Sequence, residues 1–224
     1  MERSDIINIL IKNHNLKSYL EIGLNEPGRN FTKINCLEKE SCDPFFYNKD
    51  ETIMENEDCF VDDYGNLRMD IIDNLTYRMT SDEMFAMTPY NKKWDIIFID
   101  GLHLHEQVTK DILNALKHLN SGGFIVVHDC LPEEEAFQNR NRTTEKWNGD
   151  VWKAVARLGE LGLNFYTMDT DQGVGIIPYQ EINNIIRERC FYTGHLTWEY
   201  LQKNRNELMH VINSDSIGHF LDNI

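Results

Sequence analysis

Residues 94–130 read WDIIFIDGLHLHEQVTKDILNALKHLNSGGFIVVHDC. Two unbroken apolar runs stand out, at 96–99 and 124–127. Each leads into an acid, Asp100 in the first case and Asp129, after His128, in the second. Short continuous runs with β-branched residues predict strands buried on both faces of a parallel sheet. Between them Val108, Ile112, Leu113, Ala115, Leu116 and Leu119 recur at three- and four-residue spacing, the pattern of a helix with one apolar face. Strand, helix, Gly122-Gly123, strand is a βαβ unit. Its polar residues gather at the strand ends, the edge on which open α/β sheets hold ligands.

Outward from this unit the chain alternates in the same way. Ser4 is placed to cap a first helix with Ile6, Ile7, Leu10 and Ile11 on its inner face, ending near His14-Asn15. Residues 18–22 (SYLEI) predict a strand, followed by a turn over 23–28, then a short helix or irregular crossover over 30–37. Residues 40–43 (ESCD) predict the next strand. The pattern weakens over 45–79, where loop with one or two helical turns is expected. Thr80 and Glu83 form a capping box, so a helix runs from there to about Thr88.

After the central unit, the polar stretch 131–146 predicts a loop long enough to act as a lid. Asp150 is placed to cap a helix carrying Val151, Trp152, Val155, Leu158 and Leu161. Residues 163–169 and 173–178 predict an antiparallel pair joined by a tight turn. From Glu181 onward helix is expected, with Trp198, Leu201, Leu208, Val211 and Ile212 as an apolar stripe. The fold class is α/β: a Rossmann-like, mostly parallel sheet flanked by helices, ending in an antiparallel β-hairpin with C-terminal helices. One domain is expected over 1–224, with 179–224 as a helical extension.

Bulk properties narrow the partner. At 224 residues, 41% hydrophobic and 26% charged, the chain suits one globular domain with a full core. A formal charge of −15 with no dense run of Lys or Arg excludes an extended nucleic-acid surface. No apolar run approaches the roughly 20 residues that span a membrane, and no secretory leader is legible, so a cytoplasmic protein is expected. Five cysteines without CxxC spacing, Cys36, Cys42, Cys59, Cys130 and Cys190, predict reduced thiols. A small molecule is the expected partner, and a homo-oligomer is compatible with the sequence.

The order of elements resembles the class I S-adenosylmethionine-dependent methyltransferases, whose parallel sheet ends in a reversed strand. Residues 19–23 (YLEIG) resemble the first motif of that fold, Cys42-Asp43-Pro44 the second and 98–101 (FIDG) the fourth. The phrases FIDGLHLHEQV, VVHDCLP, WNGDVWKA and DTDQGVGII resemble small methyltransferases of polysaccharide and glycan biosynthesis, near the metal-dependent sugar O-methyltransferases. The resemblance implies S-adenosylmethionine as cofactor, a hydroxyl acceptor on a carbohydrate, and a divalent cation, Mg or Mn, as a further candidate.

Site residues follow from the two readings together. A glycine turn after a strand lets a ligand approach the backbone. In the family the turn holds the methionine end of the cofactor, which here implicates Glu21, Gly23 and Asn25. Asn25 stands where a second glycine is common, and Asn tolerates positive φ. Asp43 takes the ribose position, Ser81 and Asp82 the adenine position with helix capping as their alternative role, and Asp100 completes the cofactor set. The metal-ligand positions of the related sugar enzymes fall on Asp100, His128 and Asp129, where a metal-free hydrogen-bond network is the alternative. His103 is the candidate base, because O-methylation needs a group of near-neutral pKa beside the hydroxyl; His105 is second choice. Trp147 is placed either to stack on a sugar or to pack, and Asp150 and Lys153 to bind its hydroxyls. Trp152 reads as core, Cys130 as a buried thiol, and Asp169 and Asp171 as turn formers. Two other functions stay open: a metal-dependent hydroxylase on the same fold, and a non-catalytic, partner-binding subunit.

Overall fold

The computed structural model describes residues 1–44 and 73–224. Most of the stretch expected to be irregular, 45–79, therefore lies outside the described residues. A seven-stranded sheet forms the centre, in the order β2-β1-β3-β4-β6-β5-β7. Its strands are β1 (Ser18–Ile22), β2 (Glu38–Cys42), β3 (Trp94–Ile99), β4 (Leu119–Val127), β5 (Tyr166–Met168), β6 (Val174–Pro178) and β7 (Val211–Ile212). Strands β2, β1, β3 and β4 are parallel, β6 is antiparallel to both β4 and β5, and β7 is parallel to β5. This is the Rossmann-like sheet with a terminal hairpin that the alternation of elements predicted.

Side chains of the two central strands feed both faces. Ile97, Ile99, Ile125 and Val127 pack into one core. Ile96, Phe98, Phe124 and Val126 pack into the other. Period-two alternation makes a continuous apolar run the right sequence for a strand covered twice. Helix α1 (Arg3–His14) covers the second face with Ile6, Ile7, Leu10 and Ile11. Helices α2 (Ser81–Met87), α3 (His105–Lys117) and α4 (Val151–Glu160) cover the first. Three further helices follow: α5 (Asn184–Arg189), α6 (Trp198–Leu208) and α7 (Ile217–Leu221). Among the described residues no helix is long and apolar enough to cross a membrane, and Cys36, Cys42, Cys130 and Cys190 are free thiols.

Several local expectations are corrected. Helix α1 is capped at Glu2, not Ser4, because the Asp5 carboxylate reaches back to accept the Glu2 N–H at 2.9 Å; Ser4 is buried inside the first turn. Gly122 and Gly123 do not precede β4 but lie within it, at a register shift between β3 and β4. A Cβ on Gly123 would stand 2.3 Å from the Asp95 carbonyl oxygen, so the close approach of the strands requires glycine. Val211 and Ile212 are not helical: α6 ends at Leu208, His210 takes φ 46°, and the two residues pair with β5. The capping box of α2 forms as expected, with the Glu83 N–H donating to Thr80 Oγ1 at 3.2 Å and the Thr80 N–H to Glu83 at 2.9 Å.

Candidate active site

Parallel strands bring their carboxyl ends to one edge, and α1, returning beside the sheet, brings its first turn to the same edge. Asp100 follows β3 and His128-Asp129 follow β4, so neighbouring strands deliver them side by side. Asp129 takes φ 62°, which turns its carboxylate back over the strand ends. His103, in the turn before α3, lies between the two acids. Its Nε2 is 3.4 Å from Asp100 Oδ1 and its Nδ1 is 3.3 Å from Asp129 Oδ2. His128 Nδ1 faces the same oxygens, at 3.4 Å from Asp100 and 3.1 Å from Asp129.

Three members of the site carried no such role in the sequence. Arg3 extends from α1, its backbone N–H donating to Asp171 at 2.8 Å and its Nη1 to both Asp171 oxygens at 3.1 Å. The same Nη1 donates to His128 Nε2 at 2.9 Å. Asp171 was expected only to form a turn; it does so with φ 46°, and also anchors Arg3. Asn148 is buried and donates from Nδ2 to Asp129 at 3.2 Å and to the Gln172 carbonyl at 3.1 Å. The signal available in sequence was the phrase DTDQG beside the βαβ unit. Nothing local marks Arg3.

Charge in this cluster is strongly coupled. Burial alone would raise the Asp100 carboxyl, but the His128 and His103 imidazoles overcome that and hold it well below the carboxylate range. Burial opposes a charged His103, yet its bond to Asp100 and the charges of Asp129 and Asp100 raise its pKa. For His128 the acids pull toward the charged form against burial. Arg3 Nη1 has only protons to offer, so its approach to Nε2 opposes that charged form, while Nδ1 faces the acids. Five buried polar atoms around these acids lack a hydrogen-bond partner among the described residues: Arg3 Nε, His103 Nδ1, His128 Nδ1, Asn148 Oδ1 and Gln172 Oε1. Buried groups in that state are rare and concentrate where a polar ligand or ion belongs.

The residues expected to hold the cofactor fall in three places. Gly23, after β1, has φ 90°, and a Cβ there would stand 2.1 Å from the Asp100 carbonyl oxygen. Asn25 takes φ 43°, and its N–H donates to Asp43 Oδ2 at 3.1 Å, joining the β1 turn to the acid after β2. Glu21 is turned inward instead, bonded to the Tyr19 hydroxyl and to Asn30 Nδ2, and burial pushes its carboxyl up to about 8. Ser81 Oγ donates to Asp111 at 2.6 Å, and Asp82 pairs with Lys110 at 3.0 Å, so both tie α2 to α3. Asp150 does not cap α4 with its side chain; its carboxylate accepts the His105 N–H at 2.8 Å and Arg140 at 2.7 Å. It is 2% exposed and committed inward, so binding sugar hydroxyls does not fall to it. Lys153 lies over the Trp152 ring, and Trp152 is core.

Ligand atoms of Asp100, His103 and Asp129 lie within 4.8 Å of one another, a set of two carboxylates and one imidazole into which a divalent cation fits. Sequence reasoning put His128 in that set; its Nε2 is taken by Arg3, while its Nδ1 lies 3.4 Å from Asp100 and 3.1 Å from Asp129. A groove lined by Tyr77, Met79, Met84 and Met87 lies elsewhere, beside α2.

Residues 37–130 match a methyltransferase domain model. No curated protein sequence matches the chain. Among solved structures, an O-methyltransferase from Bacillus cereus in complex with SAH is similar at 15% identity and a TM-score of 0.51, covering 80% of each chain. The O-methyltransferase TomG from Streptomyces achromogenes, involved in tomaymycin synthesis and solved with SAM, is similar at 11% identity and 0.50, again over 80% of each chain. SAH-bound methyltransferase PaMTH1 from Podospora anserina is similar at 14% identity and 0.51, covering 77% of this chain and 76% of that one. The chain therefore has the fold of these methyltransferases, with its match to the domain model spanning β2 to the end of β4.

Proposed function

We propose that this chain transfers a methyl group from S-adenosylmethionine to a hydroxyl of a small molecule, a carbohydrate or glycan precursor. One observation carries the reading: Asp100, His103 and Asp129 converge at the ends of β3 and β4, while the Gly23–Asn25 turn, tied to Asp43, lies one strand away. Cofactor and acceptor would thus meet across the Gly23–Asp100 contact. The turn with Asp43 would take the methionine and ribose portions, and Ser81 and Asp82 the adenine end. His103 would accept the acceptor's proton, its affinity for it raised by the flanking acids. Holding the hydroxyl in line with the methyl group supplies much of the rate in such a transfer. The glycan-like phrases and a partly exposed Trp147 beside His103 favour a sugar acceptor. The domain match over 37–130 supports methyl transfer over hydroxylation.

A second reading of His103 rests on its place in the cation-sized cluster. Asp100, Asp129 and His103 would then hold a divalent cation, and the nitrogen ligand favours Mn²⁺ over Mg²⁺. Such an ion, when bound, orients a hydroxyl and lowers its pKa. Isothermal titration with S-adenosylhomocysteine tests the main reading: micromolar or tighter binding is expected, and no binding overturns it. Titration with Mn²⁺ separates the roles of His103, since a ligand role requires His103→Ala to weaken the ion.

A further inference from the structure

His103 has no rigid support from its own neighbours in sequence: it lies in the turn between β3 and α3. The segment 147–150 supplies that support from outside. Trp147 stacks on the imidazole, with centroids 4.8 Å apart. Gly149, at φ 59°, lies so close that a Cβ would stand 2.0 Å from the His103 carbonyl oxygen. The Asp150 N–H donates to that same carbonyl at 3.2 Å. Two residues further along, the Asp150 carboxylate takes the His105 N–H at 2.8 Å and faces His105 Nδ1 at 2.9 Å. Asp150 therefore grips the chain on both sides of Leu104, by its amide before and its carboxylate after.

The grip is itself anchored twice. Arg140, on the polar loop, donates from Nη1 to Asp150 at 2.7 Å and from Nη2 to Glu106 at 3.0 Å. His105 Nε2 lies 3.0 Å from the Thr193 hydroxyl, which reaches in from beyond α5. Asp150 is 2% exposed and its charge is matched by Arg140, so removing Arg140 leaves a buried carboxylate without its cation.

We propose that Asp150 is the positioning residue for His103, and that Arg140 is the latch holding Asp150 and the polar loop in place. This rests on the reading of His103 as a site residue, and it names residues that set the ring without touching acceptor or cofactor. When the latch is made, the ring is fixed between the two acids; when it is broken, the Trp147–Asp150 segment lifts and the ring is freed.

Diethyl pyrocarbonate labelling read histidine by histidine in the full chain, beside titration with S-adenosylhomocysteine, tests this. Losing a buried charged hydrogen bond should increase labelling of His103 about tenfold in Asp150→Ala. Labelling of His118, at the opposite end of α3, and affinity for S-adenosylhomocysteine should stay unchanged. Arg140 is half-exposed, so Arg140→Met should fold and raise His103 labelling, and Arg140→Lys should restore protection. Unchanged His103 labelling in these variants, an equal rise at His118, or failure of Lys to rescue each overturns the proposal. Failure of the wild type to bind S-adenosylhomocysteine strikes the proposed activity instead and leaves the labelling result to decide this point.

Discussion

The indole of Trp147 lies nearly parallel to the imidazole of His103, at 15° and 4.8 Å between centroids, so one face of the candidate base is covered by a residue 44 positions later in the chain. Such a stack is worth about 1 kcal/mol beyond area burial. Trp147→Phe should keep most of it, and Trp147→Ala should lower stability by about 1 kcal/mol in urea unfolding. An alanine variant as stable as the wild type would mean that the stack carries no energy.

Gly23 brings the end of β1 against the end of β3. Gly23→Ala places a Cβ 2.1 Å from a backbone oxygen at φ 90°, combining a steric clash with a strained conformation. Destabilisation of about 2–5 kcal/mol is expected, with loss of cofactor binding. A thermal melt and a titration with S-adenosylhomocysteine check both; a variant melting with the wild type would show that the strands separate at little cost.

Glu21 gives a pH signature. Burial raises its carboxyl to about 8 in the folded chain, far above its unfolded value near 4.5. The folded state thus binds this proton more tightly, and the stability it contributes is full below about pH 4.5 and is lost as pH rises through about 8. Glu21→Gln removes the proton from the balance. Unfolding free energies from urea titration at pH 5 and 8.5 should differ less in the variant than in the wild type, by about a few kcal/mol at most. Equal differences in both proteins would assign the pH slope to other groups.

Arg3 and Asp171 form a pair with four-fifths of each side chain buried. Burial would raise the Asp171 carboxyl, but the adjoining His128 ring and the backbone N–H and charge of Arg3 depress it below the ordinary range. Its contribution is present above about pH 4 and falls away as the carboxylate protonates. A double-mutant cycle with Arg3→Met and Asp171→Asn at pH 7 should give a coupling of about 1–3 kcal/mol. At pH 3 the coupling should shrink; additivity at pH 7 would show that the pair contributes nothing.

Much of the fold was legible because β3 and β4 are covered on both faces, which writes a continuous apolar run into the chain. The acids at their ends were legible for the same reason, since strands in register deliver their ends together. Placement of His128 against His103 was not. Both rings face the acids, His103 with both nitrogens and His128 with Nδ1 alone, because Arg3 occupies its Nε2, a contact no local pattern encodes. Asp150 misled for a related reason: as a residue before a helix it has the composition of a cap, yet Arg140 and His105 compete for its carboxylate and win. The edge strand β7 escaped notice because two residues carry no periodicity.

The bond between Arg3 and Asp171 joins residues 168 positions apart. Arg3 leaves the ribosome 168 residues ahead of its partner, which emerges only after five of the seven strands have been made. Contacts of such long range form late. During synthesis the sheet can begin to assemble around β1, β3 and β4 while His128 still lacks the guanidinium that meets its Nε2. Completion of the β5–β6 hairpin is then the step that gives a growing chain its finished chemistry.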